Sequence, residues 1–238
     1  MSEFEIVHGS AIPAEAAAER ITAFLRAAYG WMCAGLAITA ATAWFVASSP
    51  ALLQTIARSG PLYIGLIIAQ LGIVYYLSSR VQTLSEGTAS ALFIGYSVLT
   101  GVTLSFMMLL YTGQTLTTTF VVAAGMFGAM ALYGTVTRSS LAGWGQFLFM
   151  GLIGVVLASV VGMFWSNDGL QFVTSFIGVI VFTGLAAYDA QRLKSMALMT
   201  SAGATGSYAI VGALSLYLDF VNLFLMLLRF TGGSGRRR

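Results

Sequence analysis

Residues 87–137 contain no charged side chain, and this 51-residue run limits the possible folds more than any other feature. One helix of that length would extend about 77 Å, whereas the hydrocarbon core of a bilayer is ~30 Å thick. Two helices of about 20 residues each fit that core well. The polar sequence TGQTLTTT at 112–119 predicts the turn between them. Because the run is continuously apolar rather than alternating, a β-barrel is disfavoured.

The composition of the whole chain points the same way. Of its 238 residues, 58% are hydrophobic and 8% are charged, against roughly 25% charged in a soluble domain. A single water-facing domain could not bury that much apolar surface, so soluble, disordered and nucleic-acid-binding classes are excluded. We predict an all-α integral membrane protein with seven transmembrane helices in the lipid bilayer. The predicted spans are 27–48, 59–79, two within 87–137, one within 139–167, 170–189 and 207–229.

The predicted organisation is one membrane domain with two short ends. Residues 1–26 are mostly polar and have a helix-like composition, which predicts a tail or a helix at the membrane interface. Their four acidic residues argue against a signal peptide. Residues 27–230 form the seven-helix domain, and 231–238 form a basic tail.

Small residues recur four apart inside the spans. Gly30 with Ala34 and Ala124 with Gly128 are two such pairs among the chain's 27 glycines and its alanines. This spacing predicts that helix backbones approach closely at these positions.

Lys and Arg are unevenly divided between the two sides of the predicted bundle. If the N-terminus is cytoplasmic, that side collects Arg20, Arg26, Arg80, Arg138, Arg192 and Lys194. The loops of the other side contain Arg58, so the positive-inside rule predicts a cytoplasmic N-terminus. Seven complete spans would then place Arg236–Arg238 outside, against the rule. This leaves open a last span that is re-entrant and returns to the cytoplasm.

The chain lacks the residues that most intramembrane chemistry requires. His8 is the only histidine and lies in the tail, Cys33 is the only cysteine, and Lys194 is the only lysine. A serine–histidine protease, a histidine-bound metal or haem, and an intramolecular disulfide are therefore excluded. The sequence also has no phosphate-binding P-loop motif. We predict no cofactor and no enzymatic activity.

Two aspartates stand out in the last two spans. Asp219 has ten uncharged residues before it and nine after it. A carboxylate at such a depth costs ~2.5–3.5 kcal/mol to insert, so it normally faces the bundle interior and is a functional-site candidate. Asp189 lies 30 residues earlier, and the midpoint of the two falls in the turn sequence SAGATG at 201–206. Antiparallel helices joined there would bring the two carboxyl groups to the same depth.

The surroundings of Asp219 suggest what such a pair could do. One face of the last span is small and polar, and its members are Gly212, Ser215, Asp219 and Asn222. That stripe suits a path for water or ions. Two carboxylates in a low dielectric cannot both ionise cheaply and should share a proton, which makes the pair a candidate pH sensor. Carboxylate oxygens also suit Ca²⁺, so Asp189 and Asp219 are a candidate transient metal site.

Arg80 ends the second span on the same side and is a candidate latch that neutralises one carboxylate. Simpler interpretations remain open for each residue. Asp189 could pair with Arg192 three residues later. Asp219 could be only a hydrogen-bond acceptor, and Arg80 only a snorkelling anchor.

Four segments resemble the Bax inhibitor-1 family, also called the transmembrane Bax-inhibitor-motif or YccA-like family. They are GYSVLTGVTLS (95–105), residues 126–161, AAYDAQRLK (186–194) and LSLYLDFVNLFLMLLRF (214–230). The resemblance implies a seven-helix bundle whose last helix lies in the middle of the other six, and a pH-sensitive Ca²⁺ leak. It further implies that Asp189 and Asp219 are the pH sensor and that Arg80 is the latch. We expect the protein to lie in a bacterial inner membrane.

Three functions remain open from the sequence. The first is a pH-gated leak for Ca²⁺, with Ca²⁺ and protons as its ligands. The second is a non-conducting regulator that binds other membrane proteins, such as quality-control proteases. The third is a proton-coupled transporter.

Overall fold

The computed structural model describes residues 13–165, 167–200 and 205–232, and within these ranges the chain is helical without a β-strand. The helices are α1 (Ala14–Ala47), α2 (Pro50–Arg58), α3 (Gly60–Arg80), α4 (Glu86–Leu104), α5 (Met107–Leu110), α6 (Gly113–Val136), α7 (Ala142–Phe164), α8 (Asp168–Met199) and α9 (Thr205–Gly232).

Seven segments are long and apolar enough to cross a membrane, which confirms the predicted all-α, seven-helix class. Six of them are single helices, and the seventh, Glu86–Leu110, combines α4 with the short α5. The helix α2 is a nine-residue connection between two spans. The last helix, α9, runs unbroken for 28 residues, about 42 Å. That is the length of a complete crossing and not of a re-entrant loop.

The first span begins earlier than its sequence suggests. The helix α1 continues without a break through residue 26, where we predicted the boundary with an interfacial helix. Phe24, Ala28 and Met32 are all buried and follow each other at four-residue intervals, so the core-facing stripe of α1 starts before that boundary. Residues 1–12 and 233–238 of the predicted tails lie outside the described residues.

The turn inside the long uncharged run is shorter than TGQTLTTT. The helix α6 begins at Gly113, so most of this polar sequence is helical. Thr112 is the N-cap, and its hydroxyl accepts a hydrogen bond from the Thr115 N–H. Within the first turn Thr117 donates to the Gly113 carbonyl at 2.9 Å. Threonine hydroxyls satisfied in this way are compatible with a helix, and for this reason the prediction of an eight-residue break was wrong.

The last helix lies at the centre of the bundle, as the resemblance implied. It is the most buried of the seven spans and packs against α1, α3, α4, α6 and α8. The helix α7 packs mainly on α8, on the outside of the bundle. The ring around α9 is therefore built chiefly from five spans rather than six.

Hydrogen bonds between helix ends define one end of the bundle. The Arg20 guanidinium donates to the Thr200 carbonyl at 2.7 Å, and the Lys194 ammonium donates to the Thr135 carbonyl at 2.5 Å. The N-terminal part of α1 therefore meets the C-terminal end of α8, and α8 in turn meets the C-terminal end of α6. We call this end the basic face, because it contains Arg20, Arg26, Arg80, Arg138, Arg192 and Lys194.

The ring around α9 is open between α1 and α6. A groove of about 520 Å³ separates these two helices, and Phe220 of α9 lies on its floor. Cys33 and Gly128 line its two walls. We call this opening the α1–α6 seam.

Close helix packing occurs at different glycines from those predicted. A methyl group built on Gly134 would collide with the backbone carbonyl of Ala187, so α6 and α8 touch backbone to backbone there. By contrast, Gly30 and Gly128 have no atom within 4 Å of such a methyl group. The prediction of close approach at the pairs containing Gly30 and Gly128 was therefore wrong, and Gly128 faces the α1–α6 seam.

We expect Gly134→Ala to destabilise the protein and Gly128→Ala to leave it unchanged or slightly stabilise it. In the first case α6 must move away from α8, because the clash is with backbone that cannot rotate aside. In the second, alanine fits and favours the helix by up to about 1 kcal/mol. The thermal unfolding midpoints of the two variants in detergent measure this. Equal midpoints would contradict the packing described for Gly134.

Candidate functional site

The two aspartates predicted from the sequence meet at the interface of α8 and α9. Asp219 lies near the middle of α9 and is only 6% exposed, while Asp189 is half-buried on α8. Their carboxyl groups are close enough to hydrogen-bond to each other. The predicted turn at 201–206 falls partly on residues 201–204, outside the described ranges, but α8 ends at Met199 and α9 begins at Thr205 on either side of it.

The pair has no cation bound to it from the described part of the chain. Neither carboxylate forms an ion pair there, and the buried Oδ2 atom of Asp219 accepts no hydrogen bond from another described donor. Arg192 is exposed and attracts Asp189 electrostatically without an ion-pair contact. Two adjacent carboxylates in such an environment are compatible with one shared proton, whereas full ionisation of both is costly.

A leucine separates the pair from the basic face. Leu193 lies one turn beyond Asp189 on α8 and is 2% exposed. Its side chain occupies the space beside Gly212, so that even a methyl group built on that glycine would collide with it. Gly212 is two turns before Asp219 on α9, toward the basic face. In this conformation apolar packing closes the α8–α9 interface on that side of the pair.

The polar stripe of α9 is therefore a packed interface and not an open channel. Gly212 and Asp219 face α8, as their contacts with Leu193 and Asp189 show. Asn222 donates a hydrogen bond to the Leu218 carbonyl of its own helix at 2.8 Å. Ser215, the fourth member of the stripe, is half-buried.

Arg80 is not brought to the pair. It is the last residue of α3, and its side chain is exposed. Within the described residues it forms no ion pair with either aspartate. Its carbonyl instead accepts the N–H groups of Thr83 and Leu84 at the end of the helix. The structure thus brings together two of the three predicted site residues, and the latch remains a prediction.

A hydrogen-bonded cluster on the opposite face of α9 was not found from the sequence. The Thr39 hydroxyl donates to the Ser97 carbonyl at 2.9 Å and lies 2.6 Å from the Tyr217 hydroxyl. Because Thr39 has a single hydroxyl hydrogen, Tyr217 must be the donor in the second bond. This cluster ties α9 to α1 and α4. The sequence did not predict this cluster, because most hydroxyl side chains in an apolar helix bond to the backbone of their own helix.

A second polar feature lies at the end of the bundle away from the basic face. A cavity of about 260 Å³ between α7, α8 and α9 is lined by Arg229, Asp168, Gln171 and Ser175, among others. Arg229 is half-buried in the last turns of α9 and makes no hydrogen bond or ion pair with a described residue. The sequence shows an arginine near the end of the last apolar span, but it does not predict which polar residues surround that arginine.

Taken with the fold, this site defines a class. The protein is a multi-pass α-helical membrane protein whose central helix carries a buried carboxyl pair. Its family can also be named: the model for the family described as "Inhibitor of apoptosis-promoting Bax1" matches residues 21–236, so the chain belongs to the Bax inhibitor-1 family. This confirms the resemblance seen in the sequence.

Bacterial relatives cover nearly the same length. The inner membrane protein YbhL of Escherichia coli K12 is 50% identical over 212 residues, 88% of this chain and 91% of that protein. A protein of Borreliella burgdorferi is 41% identical over 88% of this chain and 91% of its own length. A protein of Deinococcus radiodurans is 40% identical over 88% of this chain and 90% of its own.

We expect Tyr217→Phe to lower the free energy of unfolding by about 1 kcal/mol, because the buried Thr39 oxygen then loses its donor. Tyr208→Phe on the same helix is the matched control, since no hydrogen bond from its hydroxyl to a described residue is present. Unfolding in detergent, followed by circular dichroism, compares the two. An unchanged Tyr217→Phe variant would mean that the cluster does not hold α9.

Proposed function

We propose that this protein is a non-enzymatic, pH-sensitive leak for cations, above all Ca²⁺, in a bacterial inner membrane with its N-terminus in the cytoplasm. The observation that carries the proposal is the contact of Asp219, buried at the centre of the bundle, with Asp189, while no cation of the described residues forms an ion pair with either carboxyl group. An ionisable group at that depth is costly to retain and usually marks an ion or proton pathway.

The proposed site would bind Ca²⁺ only weakly. Ca²⁺ takes six to eight oxygen ligands, and two carboxylates supply at most four. Within the described residues no third acidic, histidine or cysteine side chain joins them. Water would complete the shell, and weak binding of this kind suits an ion that must leave again.

Loss of the shared proton is the proposed trigger. Two full charges ~4 Å apart repel by about 4 kcal/mol at an effective dielectric of about 20. This repulsion acts directly across the α8–α9 interface, where Leu193 lies against Gly212. Deprotonation would thus loosen the apolar closure and at the same time create the charge that attracts Ca²⁺. Both effects would increase Ca²⁺ passage as the pH rises.

The alternative functions make different predictions for the purified protein. A non-conducting regulator of other membrane proteins would move no Ca²⁺ by itself. The packed α8–α9 interface is compatible with that function too, because this conformation has no open path beside Leu193. A proton-coupled transporter would move Ca²⁺ uphill when a pH gradient is applied, which a leak does not do.

We expect Ca²⁺ influx into dye-loaded proteoliposomes to fall as the pH is lowered from 8 to 6, because protonation removes the charge at the pair. In Asp219→Asn and Asp189→Asn the influx should lose most of this pH dependence. The Arg80 latch predicts the opposite sign, since acid would release it. Influx that rises in acid and becomes pH-independent in Arg80→Gln would therefore identify the latch as the gate.

Protein-free liposomes set the background of this experiment. Influx no greater than this background at every pH, with correctly folded protein, would contradict the leak and favour the regulatory function. Uphill Ca²⁺ movement under a pH gradient would instead identify a transporter.

We expect Leu193→Ala to increase Ca²⁺ influx at every pH, because it shortens the side chain that lies between the pair and the basic face. Leu198→Ala is the control, since Leu198 lies on the same helix and is 42% exposed. The buried substitution also costs about 2–5 kcal/mol of stability, so both variants are first checked for a monodisperse peak in size-exclusion chromatography. Equal influx in the two variants would mean that Leu193 is not part of the closure.

A further inference from the structure

We propose that a groove between α6, α7 and α8 at the basic face binds an acidic phospholipid, with an acyl chain in the groove and the headgroup phosphate on Arg138 and Arg192. This site is separate from the aspartate pair and does not depend on the proposed leak.

The groove is apolar and large. Its volume is about 520 Å³, within the usual range for small-molecule sites. Met130 of α6, Phe147 of α7 and Ile180 of α8 are among its walls. Phe147 and Ile180 are 65% and 57% exposed, so the groove opens toward the bilayer.

The length of the groove fits one lipid leaflet. Along α8 its lining runs from Val179 to Tyr188, which corresponds to about 14 Å. Half of a bilayer's hydrocarbon core is about 15 Å thick. An acyl chain of one leaflet matches that length, whereas a spanning partner helix would need a groove about twice as long.

Aromatic residues mark the end of the groove near the membrane surface. Tyr133 and Trp144 line it there and are 51% and 62% exposed. The ring of Tyr188 lies against Gly145 at the start of α7. Trp and Tyr are enriched at the level of the lipid headgroups, so a phosphate would be expected just beyond them.

Arg192 lies at the depth expected for that phosphate. Tyr188 is the last residue of α8 that lines the groove, and Arg192 lies one turn beyond it, at the level of the basic face. Its side chain is exposed and forms no hydrogen bond or ion pair with a described residue.

Arg138 is held close to the same point by the loop that follows α6. Gln191, the neighbour of Arg192, donates to the Ser139 carbonyl at 2.9 Å and accepts the Leu141 N–H at 2.7 Å. These bonds fix the loop beside α8. Arg138 is also exposed and without a partner among the described residues.

Two exposed arginines at the same end of the groove, neither in an ion-pair contact with a described residue, favour an acidic headgroup over a zwitterionic one. A phosphate diester accepts charge-assisted hydrogen bonds from guanidinium groups, often in pairs. In a zwitterionic lipid the ammonium group would be repelled by the same arginines. Basic pockets between transmembrane helices are known to bind acidic headgroups in this way.

The test measures lipid binding to the purified full chain by native mass spectrometry, with phosphatidylglycerol and phosphatidylcholine of identical acyl chains. We expect phosphatidylglycerol to bind about tenfold or more tightly, and Arg138→Gln with Arg192→Gln to abolish this preference. Arg26→Gln is the matched control, because Arg26 is an exposed arginine of the basic face on α1, away from the groove. It should retain the preference.

A second variant tests the apolar half of the site. Ile180→Trp places a bulky ring at an exposed wall of the groove and should weaken binding of both lipids without unfolding the protein. Equal binding of the two lipids, or an equal loss in Arg26→Gln, would overturn the proposal. So would full competition by millimolar inorganic phosphate, which would indicate a headgroup site alone. If Ile180→Trp changes the oligomeric state and leaves lipid binding intact, the groove is an interface between copies of the chain.

Discussion

The burial of Asp219 is the constraint on which the rest of the structure depends. A carboxyl group halfway along a transmembrane helix is tolerated when protein, rather than lipid, surrounds it. Here it is 6% exposed because α9 is enclosed by α1, α3, α4, α6 and α8. The partner that α8 supplies is a second aspartate, and no cation of the described residues forms an ion pair with the two carboxyl groups. The burial of Asp219 thus accounts both for the enclosure of α9 and for the candidate site.

The central helix carries polar groups on two opposite faces. Tyr217 bonds toward α1 and α4, whereas Asp219, two residues later, contacts α8. Two residues correspond to about 200° around a helix, so rotation of α9 would break one set of contacts to adjust the other. The Tyr217 side is hydrogen-bonded to Thr39 of α1, whereas the buried Oδ2 atom of Asp219 accepts no hydrogen bond from another described donor. If the proposed shared proton were lost, the Tyr217 bond would oppose rotation of α9 and favour displacement of α8.

The features predicted from the sequence were those encoded by charge. The seven spans followed from uncharged runs, and the meeting of Asp189 with Asp219 followed from their equal distances from a turn. Features that depend on side-chain packing were not predicted. Gly134 and Gly128 are the same residue type on the same helix, yet of the two only Gly134 lies against the backbone of another helix, at Ala187. The Thr39–Tyr217 bond joins residues 178 apart, and nothing local distinguishes them. Arg80 lies at the end of the bundle that the sequence predicted, but its side chain is exposed there, where α3 ends.

The α1–α6 seam has a consequence for how the molecule is made. The ribosome delivers α9 after the five helices that surround it, and domains generally assemble from the N-terminus as synthesis proceeds. This later helix must nevertheless occupy the middle of the bundle. A closed ring of those five helices would have to open again to admit it. A ring with one apolar opening, where Phe220 lies at the floor of the groove, gives α9 a lateral route to that position.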